Sequence, residues 1–239
     1  MAIRRHIQYD AGQRKMRGFV DLGDGPDEST VASEALVFMV VGLQSYWKAP
    51  IAFFITRTLS PQTQGILLEH TLHALHQRGI KVVCLTMDGH VSNISMVTSM
   101  GCNLKVTEEG LSTPLKTSFS HPASGEPIYV IMDACHMLKL CRNMFDAYSP
   151  LTNEEGSLSW DFLIDLNNVQ VQEGLHAANK LTQKHLDFSN QKMKVRLAAQ
   201  VFSQSVANAM QLLKDLGHEK FHGCSPTVKF IKVINFIGC

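Results

Sequence analysis

Two apolar runs in this chain stop at an aspartate and pass at once into a helical pattern. Lys81 to Met87 ends at Asp88-Gly89, with Ser92 and Asn93 just beyond, and Ile128 to Met132 ends at Asp133, with Cys135 to Tyr148 following. In open α/β sheets, ligand-binding and catalytic groups gather at the carboxyl ends of strands. A chain punctuated in this way is expected to build such a sheet and to carry carboxylates on its rim.

The residues before Asp88 say what kind of sheet. Ile7 to Asp10 and Arg17 to Leu22 are short β-type runs with Ala11-Gly12-Gln13 as the turn between them. Gly23 to Ser33 reads as a loop. Ala35 to Leu43 is a continuous apolar run rich in β-branched residues, which predicts a strand buried on both faces. Pro50 to Thr56 is another strand, reached through Tyr46-Trp47-Lys48. Ser60-Pro61 starts a helix, with Ser as N-cap and Pro at the first position. Leu67, Leu68, Leu72 and Leu75 recur at helical spacing, and Gly79 stops it. Ser92 to Met100 is a second helix, and 103–126 a polar loop. The order β-β-β-α-β-α-β-α, with the first strand truncated, predicts an α/β RNase H-like domain with a mixed sheet. A Rossmann fold would open β-α-β on a glycine fingerprint, which this sequence lacks.

Ser149-Pro150 and Asn153 to Ser157 form a linker-like break, after which strand signals fade. Trp160, Leu163 and Leu166, then Leu175 to His185, Met193 to Leu213 and Val228 to Phe236, read as helices. The expected division is therefore 1–148 for the α/β domain and 157–239 for a mostly α-helical one.

Composition removes several classes. Apolar residues make up 45% of the 239 and charged residues only 18%, so a large core is affordable and wholesale disorder is not expected. A formal net charge of +1 lacks the basic excess of a self-sufficient nucleic-acid binder, so any DNA contact must come from a local patch. None of the six cysteines forms a CxxC pair, so zinc ribbons and fingers are unsupported and reduced thiols are the default. The start of the chain has no signal-peptide pattern, and the longest apolar run is too short to span a membrane.

Three features could carry chemistry. Asp88, at a strand end, can hold Mg²⁺, which takes one or two carboxylates together with waters and phosphate oxygens. RNase H-type nucleases use two such ions. The equal alternative is an aspartate capping the next helix. His136 could meet a DNA phosphate or orient a carboxylate, or be a packing residue. From Asn179 to Arg196, Lys180, Lys184, Lys192, Lys194 and Arg196 with His185 face a single acid, Asp187. This is either a solvated helix face or a phosphate site. No Walker A motif is present.

Long stretches resemble one family. Met1-Ala-Ile-Arg with His6 to Asp10, Gly18 to Gly23, Tyr46 to Pro50, Val83 to Gly89 with Ser92-Asn93, and Asp133 to Asn143 are similar to P-element-type DNA transposases, in particular the vertebrate THAP-domain relatives. Gly174 to Leu181, Gln191 to Gln200 and Ser203 to Ala209 resemble the GTP-binding insertion domain of that family. The resemblance implies metal-dependent DNA cleavage and strand transfer through an Asp-Asp-Glu set, with Asp88 as the second carboxylate and a catalytic and metal residue. It implies GTP as a bound cofactor, with Lys180, Val195 and Ser203 where nucleotide contacts fall. Mg²⁺, DNA, a nuclear location and a homo-oligomer are further family expectations. The family's first Asp lies before the stretch that begins here at Met1, and its third carboxylate lies after the insertion. The expectation is thus a fragment inactive on its own, or a domesticated GTP- or nucleic-acid-binding module. A third expectation is a product without selected function, its core uncovered near Val37 and Phe53.

Overall fold

The computed structural model describes residues 1–104, 114–174 and 177–238. These divide into two compact units, the first formed by Met1–Leu85 with His90–Ile131 and the second by Thr86–Gly89 with Met132 onward.

In the first unit, β1 (Gln8–Asp10) and β2 (Lys15–Arg17) form a ribbon, closed by Arg14 at φ +52° and held by an Arg17–Asp10 ion pair of 2.8 Å. Gly18 then turns the chain at φ +105°, where an added Cβ would sit 2.0 Å from the His6 carbonyl oxygen. Next come β3 (Phe19–Asp21), β4 (Pro26–Val31), β5 (Glu34–Val41) and β6 (Lys48–Thr56), an antiparallel sheet in the order β4-β3-β6-β5. Residues 1–3 run beside the start of β5, with Met1 and Ala35 exchanging backbone bonds of 2.8 and 2.9 Å.

Strand β5 departs from the expected two-sided burial. Ala35 is buried, but Val37, Met39 and Val41 are exposed, and Phe53 on β6 is 72% exposed. The ladder is antiparallel, and such sheets can turn one face to water, whereas two-sided burial belongs to parallel sheets covered by crossover helices. An uninterrupted apolar run does not distinguish the two.

Helix α1 (Pro61–Gln77) starts where the sequence predicts. Ser60 Oγ accepts from the Thr63 amide at 3.0 Å, Pro61 fills the first turn, and Gly79 follows at φ +73°. Its Leu67, Leu68, Leu72 and Leu75 are buried. Strand β7 (Cys84–Met87) leads to α2 (Val91–Ser99); then come β8 (Ser118–Ser120), β9 (Pro127–Met132) and α3 (Ala134–Tyr148). These three strands form a further sheet, β7-β9-β8, separate from the β1–β2 ribbon and the four-stranded sheet, within a mixed α/β fold of the RNase H-like type. Tyr129 N–H donates to Val83 and Asp133 N–H to Met87, so β7 and β9 run in the same direction, while β8 and β9 are antiparallel. The expected loops at 23–33 and 103–126 each contain a strand, β4 and β8; 105–113 lies outside the described residues.

The second unit is mostly helical. After α3, β10 (Leu151–Asn153) and β11 (Gly156–Leu158) form a hairpin within the predicted linker. Then follow α4 (Asp161–Glu173), α5 (Gln183–Leu186), α6 (Val195–Val201), α7 (Gln204–Asp215) and α8 (Ser225–Gly238). Leu175 and His176, part of a predicted helix, lie outside the described residues. The helix predicted from Met193 to Leu213 breaks at Phe202-Ser203 into α6 and α7. The core includes Leu163, Leu166, Val201, Phe202, Met210, Phe221 and Ile231, with Leu138 and Phe145 contributed by α3. The division expected across 149–156 therefore falls inside this unit. Phe145 meets Trp160 and Phe230 edge-on at 5.4 and 5.2 Å, contacts worth about 0.5–1.5 kcal/mol each beyond their area.

Candidate functional site

Two places in the second unit collect the residues that the sequence singled out. The first is the rim formed by the ends of β7 and β9. Asp88 follows β7 and is exposed, and Asp133 follows β9. The 2.8 Å bond from the Asp133 amide to the Met87 carbonyl places the two strand ends side by side. The capping roles differ from the simple alternative for Asp88. The N-cap of α2 is His90, whose Nδ1 accepts from the Ser92 amide at 3.3 Å. Asp133 is the aspartate that caps a helix, its Oδ1 accepting from the Cys135 amide at 3.0 Å at the start of α3. His136 stands in the first turn of α3, half-buried.

Mg²⁺ is satisfied by one or two protein carboxylates, so Asp88 suits one ion in kind. A two-metal reaction needs ligands for both ions. Among the described residues, no group of three or more His, Cys, Asp or Glu side chains is gathered to hold a metal. No catalytic step through a metal pair follows from these residues.

The second place is a cavity of about 570 Å³ lined by Lys180, Thr182, Lys184, His185, Lys194, Arg196 and Gln200, among others. The basic stretch does not lie along one solvated helix face. Its cations come from the turn before α5, from α5 itself and from the start of α6, and the chain between folds back to bring them around one hollow. Among the described residues, no carboxylate lines it. Asp187, the single acid of the stretch, is held by Gln183 Nε2 at 2.8 Å.

Of the three residues marked for a nucleotide, Lys180 lines the cavity. Val195 opens α6 and packs against the apolar core. Ser203 is the N-cap residue of α7, and its Oγ donates to the Gln200 carbonyl at 2.8 Å. Lys192 belongs to the basic stretch but not to the wall. Its carbonyl accepts from Arg142 Nη2 at 2.7 Å, and that guanidinium lies 3.9 Å from the centre of the Phe188 ring. Arg142 is fully buried and ties the 188–194 segment to α3. Gln200 and Thr182 were not singled out by sequence, because a lone Gln or Thr carries no motif.

The α/β unit of RNase H type and the helical unit define the class: proteins built from an RNase H-like domain and a TNP-like helical insertion domain. Residues 1–101 match the family model described as TNP-like, RNase H N-terminal domain, and residues 135–237 match TNP-like, GTP-binding insertion domain. The chain is 30% identical to DNA transposase THAP9 of Homo sapiens, over 98% of this chain and 26% of that protein. It is 29% identical to the Transposable element P transposase of Drosophila melanogaster, over 82% of this chain and 24% of that protein. It superposes on the Drosophila P element transposase strand transfer complex with a TM-score of 0.78 and 26% identity, covering 98% of this chain and 47% of that one.

The chain belongs to the P-element-type transposase family. It spans about a quarter of the length of the curated relatives it matches.

Proposed function

We propose that this chain is a transposase-derived segment whose second unit binds GTP in the cation-lined cavity, and whose Asp88 supplies one carboxylate to a Mg²⁺-dependent strand-transfer core. The wall of the cavity carries the proposal. Lys180, Lys184, Lys194 and Arg196 surround the hollow with no opposing carboxylate among the described residues that line it. Such a site is complementary to a polyphosphate, since charge-assisted bonds to phosphate oxygens are roughly twice as strong as neutral ones. The match of 135–237 to a GTP-binding insertion domain supports a guanine nucleotide as the ligand.

In this reading Lys180 contacts the phosphates. Val195 and Ser203 act through α6, which carries Arg196 and Gln200. Asp88 and His136 belong to the rim that faces DNA, and the reading brings with it DNA as substrate, a nuclear setting, a THAP-type DNA-reading module and a second copy of the chain. The lack of a three-ligand metal cluster among the described residues favours a companion reading, a GTP-binding module that does not cut DNA by itself.

Calorimetric titration of the purified chain with GTP tests the nucleotide half. Binding should be weakened about tenfold or more by Lys180→Ala, equivalent to about 1.4 kcal/mol. No heat at millimolar GTP from a folded chain overturns it. Incubation of supercoiled plasmid with the chain and Mg²⁺ or Mn²⁺ tests the other half. Nicking that disappears in Asp88→Ala would show that this chain completes a metal site, and would sink the non-cutting reading.

A further inference from the structure

His185 lines the cavity and is bonded to a second lining residue, Gln200. The ring is 3% exposed. Nδ1 is 3.1 Å from the Thr182 backbone nitrogen and 3.0 Å from Thr182 Oγ1, and Nε2 is 2.9 Å from Gln200 Oε1. A backbone N–H can only donate, so Nδ1 must accept. The alternative, Nδ1 donating to the Thr182 carbonyl at 3.2 Å, would strand that amide, and the carbonyl already accepts from the His185 backbone at 2.8 Å. The ring proton therefore sits on Nε2. The atom it meets must be an acceptor, so the oxygen of the Gln200 amide faces the histidine and the NH₂ faces away.

Gln200 is held at both ends. Its side-chain oxygen is bound to His185, and its backbone carbonyl accepts from Ser203 Oγ at 2.8 Å. Gln200 also lines the cavity, so the amide NH₂ is the polar group it has left to offer there. Without the histidine, an amide can rotate half a turn and present its oxygen instead, which would repel an anion.

We infer that Gln200 is a ligand-contacting donor of this cavity, and that His185 is the positioning residue that decides which end of its amide meets the ligand. The inference rests on the reading of the cavity as a polyphosphate site and names one more group that recognises the anion. Gln200 adds a neutral donor at a fixed place among flexible lysines. It orients a phosphate oxygen rather than adding charge, and little entropy is lost because the side chain is already held.

The test uses the whole chain, with GTP and inorganic tripolyphosphate as separate titrants. Gln200→Glu keeps the acceptor for His185 Nε2 and turns the outward donor into an acceptor; it should weaken both titrants at least tenfold with the melting temperature little changed. Gln200→Met should weaken both about three- to tenfold. His185→Phe should weaken both in the native background and have no further effect in the Gln200→Met background, a non-additivity that loss of packing would not produce. If the wild type binds GTP and both Gln200 variants bind equally well, the inference fails while the cavity reading stands. If the wild type binds neither titrant, the cavity reading fails and the inference with it. Because the Gln200 variants leave the His185–Thr182 bonds at the start of α5 intact, the test does not depend on His185→Phe folding.

Discussion

The backbone N–H of Asp133 donates to the carbonyl of Met87 at 2.8 Å, and this one bond sets the rim of the parallel pair β7–β9. It brings the residue after β7, Asp88, beside Asp133, and the two aspartates then separate in role. Asp133 spends Oδ1 on the amide of Cys135. The N-cap residue of α2 is His90, two residues past Asp88.

Asp133→Ala should therefore lower stability by about 1 kcal/mol, the usual cost of losing an N-cap, and Asp133→Asn or Asp133→Ser should restore most of it. Urea denaturation followed by circular dichroism reads the difference. Equal midpoints for wild type and Asp133→Ala would remove the capping role.

Arg142 is the largest buried polar side chain of the second unit. Its Nε and Nη2 donate to Asn143 Oδ1 at 3.1 and 2.9 Å, and Nη2 also donates to the Lys192 carbonyl. Arg142→Ala should cost about 3 kcal/mol, because it removes charge-assisted bonds to Asn143 and Lys192 and the packing of a fully buried side chain on Phe188. It should also weaken GTP binding, since the 188–194 segment leads into Lys194 and Arg196. Arg142→Met, which fills the space on Phe188, should cost less. Denaturant midpoints and GTP titrations check both statements.

His121 gives the first unit an acid-sensitive joint. The ring is buried, its Nδ1 accepts from the amides of Ala123 and Ser124 at 3.1 and 3.3 Å, and its ring centre lies 5.3 Å from that of His76. Burial holds its pKa below the ordinary 6.5; the neighbouring His76 and His73 push the same way, and a bond to the Leu72 carbonyl and the charge of Glu126 push back. A histidine with a depressed pKa stabilises the fold fully above the unfolded value, and that stability is lost as the pH falls below 6.5 toward the folded value. The unfolding midpoint should fall between pH 7.5 and pH 5. His121→Asn, which keeps an acceptor for the two amides, should flatten part of that fall. A midpoint with the same pH profile in both proteins would refute the assignment.

The thiols should react in a fixed order. Cys135 is exposed at the start of α3, whereas Cys102 and Cys224 are buried and burial raises their pKa. Burial pushes Cys141 up to about 11, so little thiolate exists there at neutral pH. Iodoacetamide at pH 7.5 should modify Cys135 well before Cys141, Cys102 or Cys224, as peptide mapping by mass spectrometry would show. Cys141 labelled as fast as Cys135 would contradict its buried setting.

Helix α1 and the two aspartate-ended strands were legible because their signals are local. Ser60, Pro61 and Gly79 are chemically suited to a helix's first and last turns whatever packs around them. The short strands β4, β8, β10 and β11 were not legible. Their residues are polar or few, and they are strands because a partner chain segment supplies hydrogen bonds, which no local pattern encodes. The break between α6 and α7 was hidden for a related reason. Apolar spacing runs on through Phe202, while Ser203 turns the chain by bonding back to Gln200.

The site divides in the same way. Sequence alone determined that five cations lie between Lys180 and Arg196, and that an aspartate follows each of two strands, because residue identity and local period need no partner. Tertiary structure decided that Lys180, Lys184, Lys194 and Arg196 share a hollow, that the Lys192 carbonyl is bound by Arg142, and that Gln200 joins the wall. Those outcomes depend on contacts up to 50 residues apart in the chain, made by a fully buried guanidinium and a buried imidazole that hydrogen-bond to groups distant in sequence.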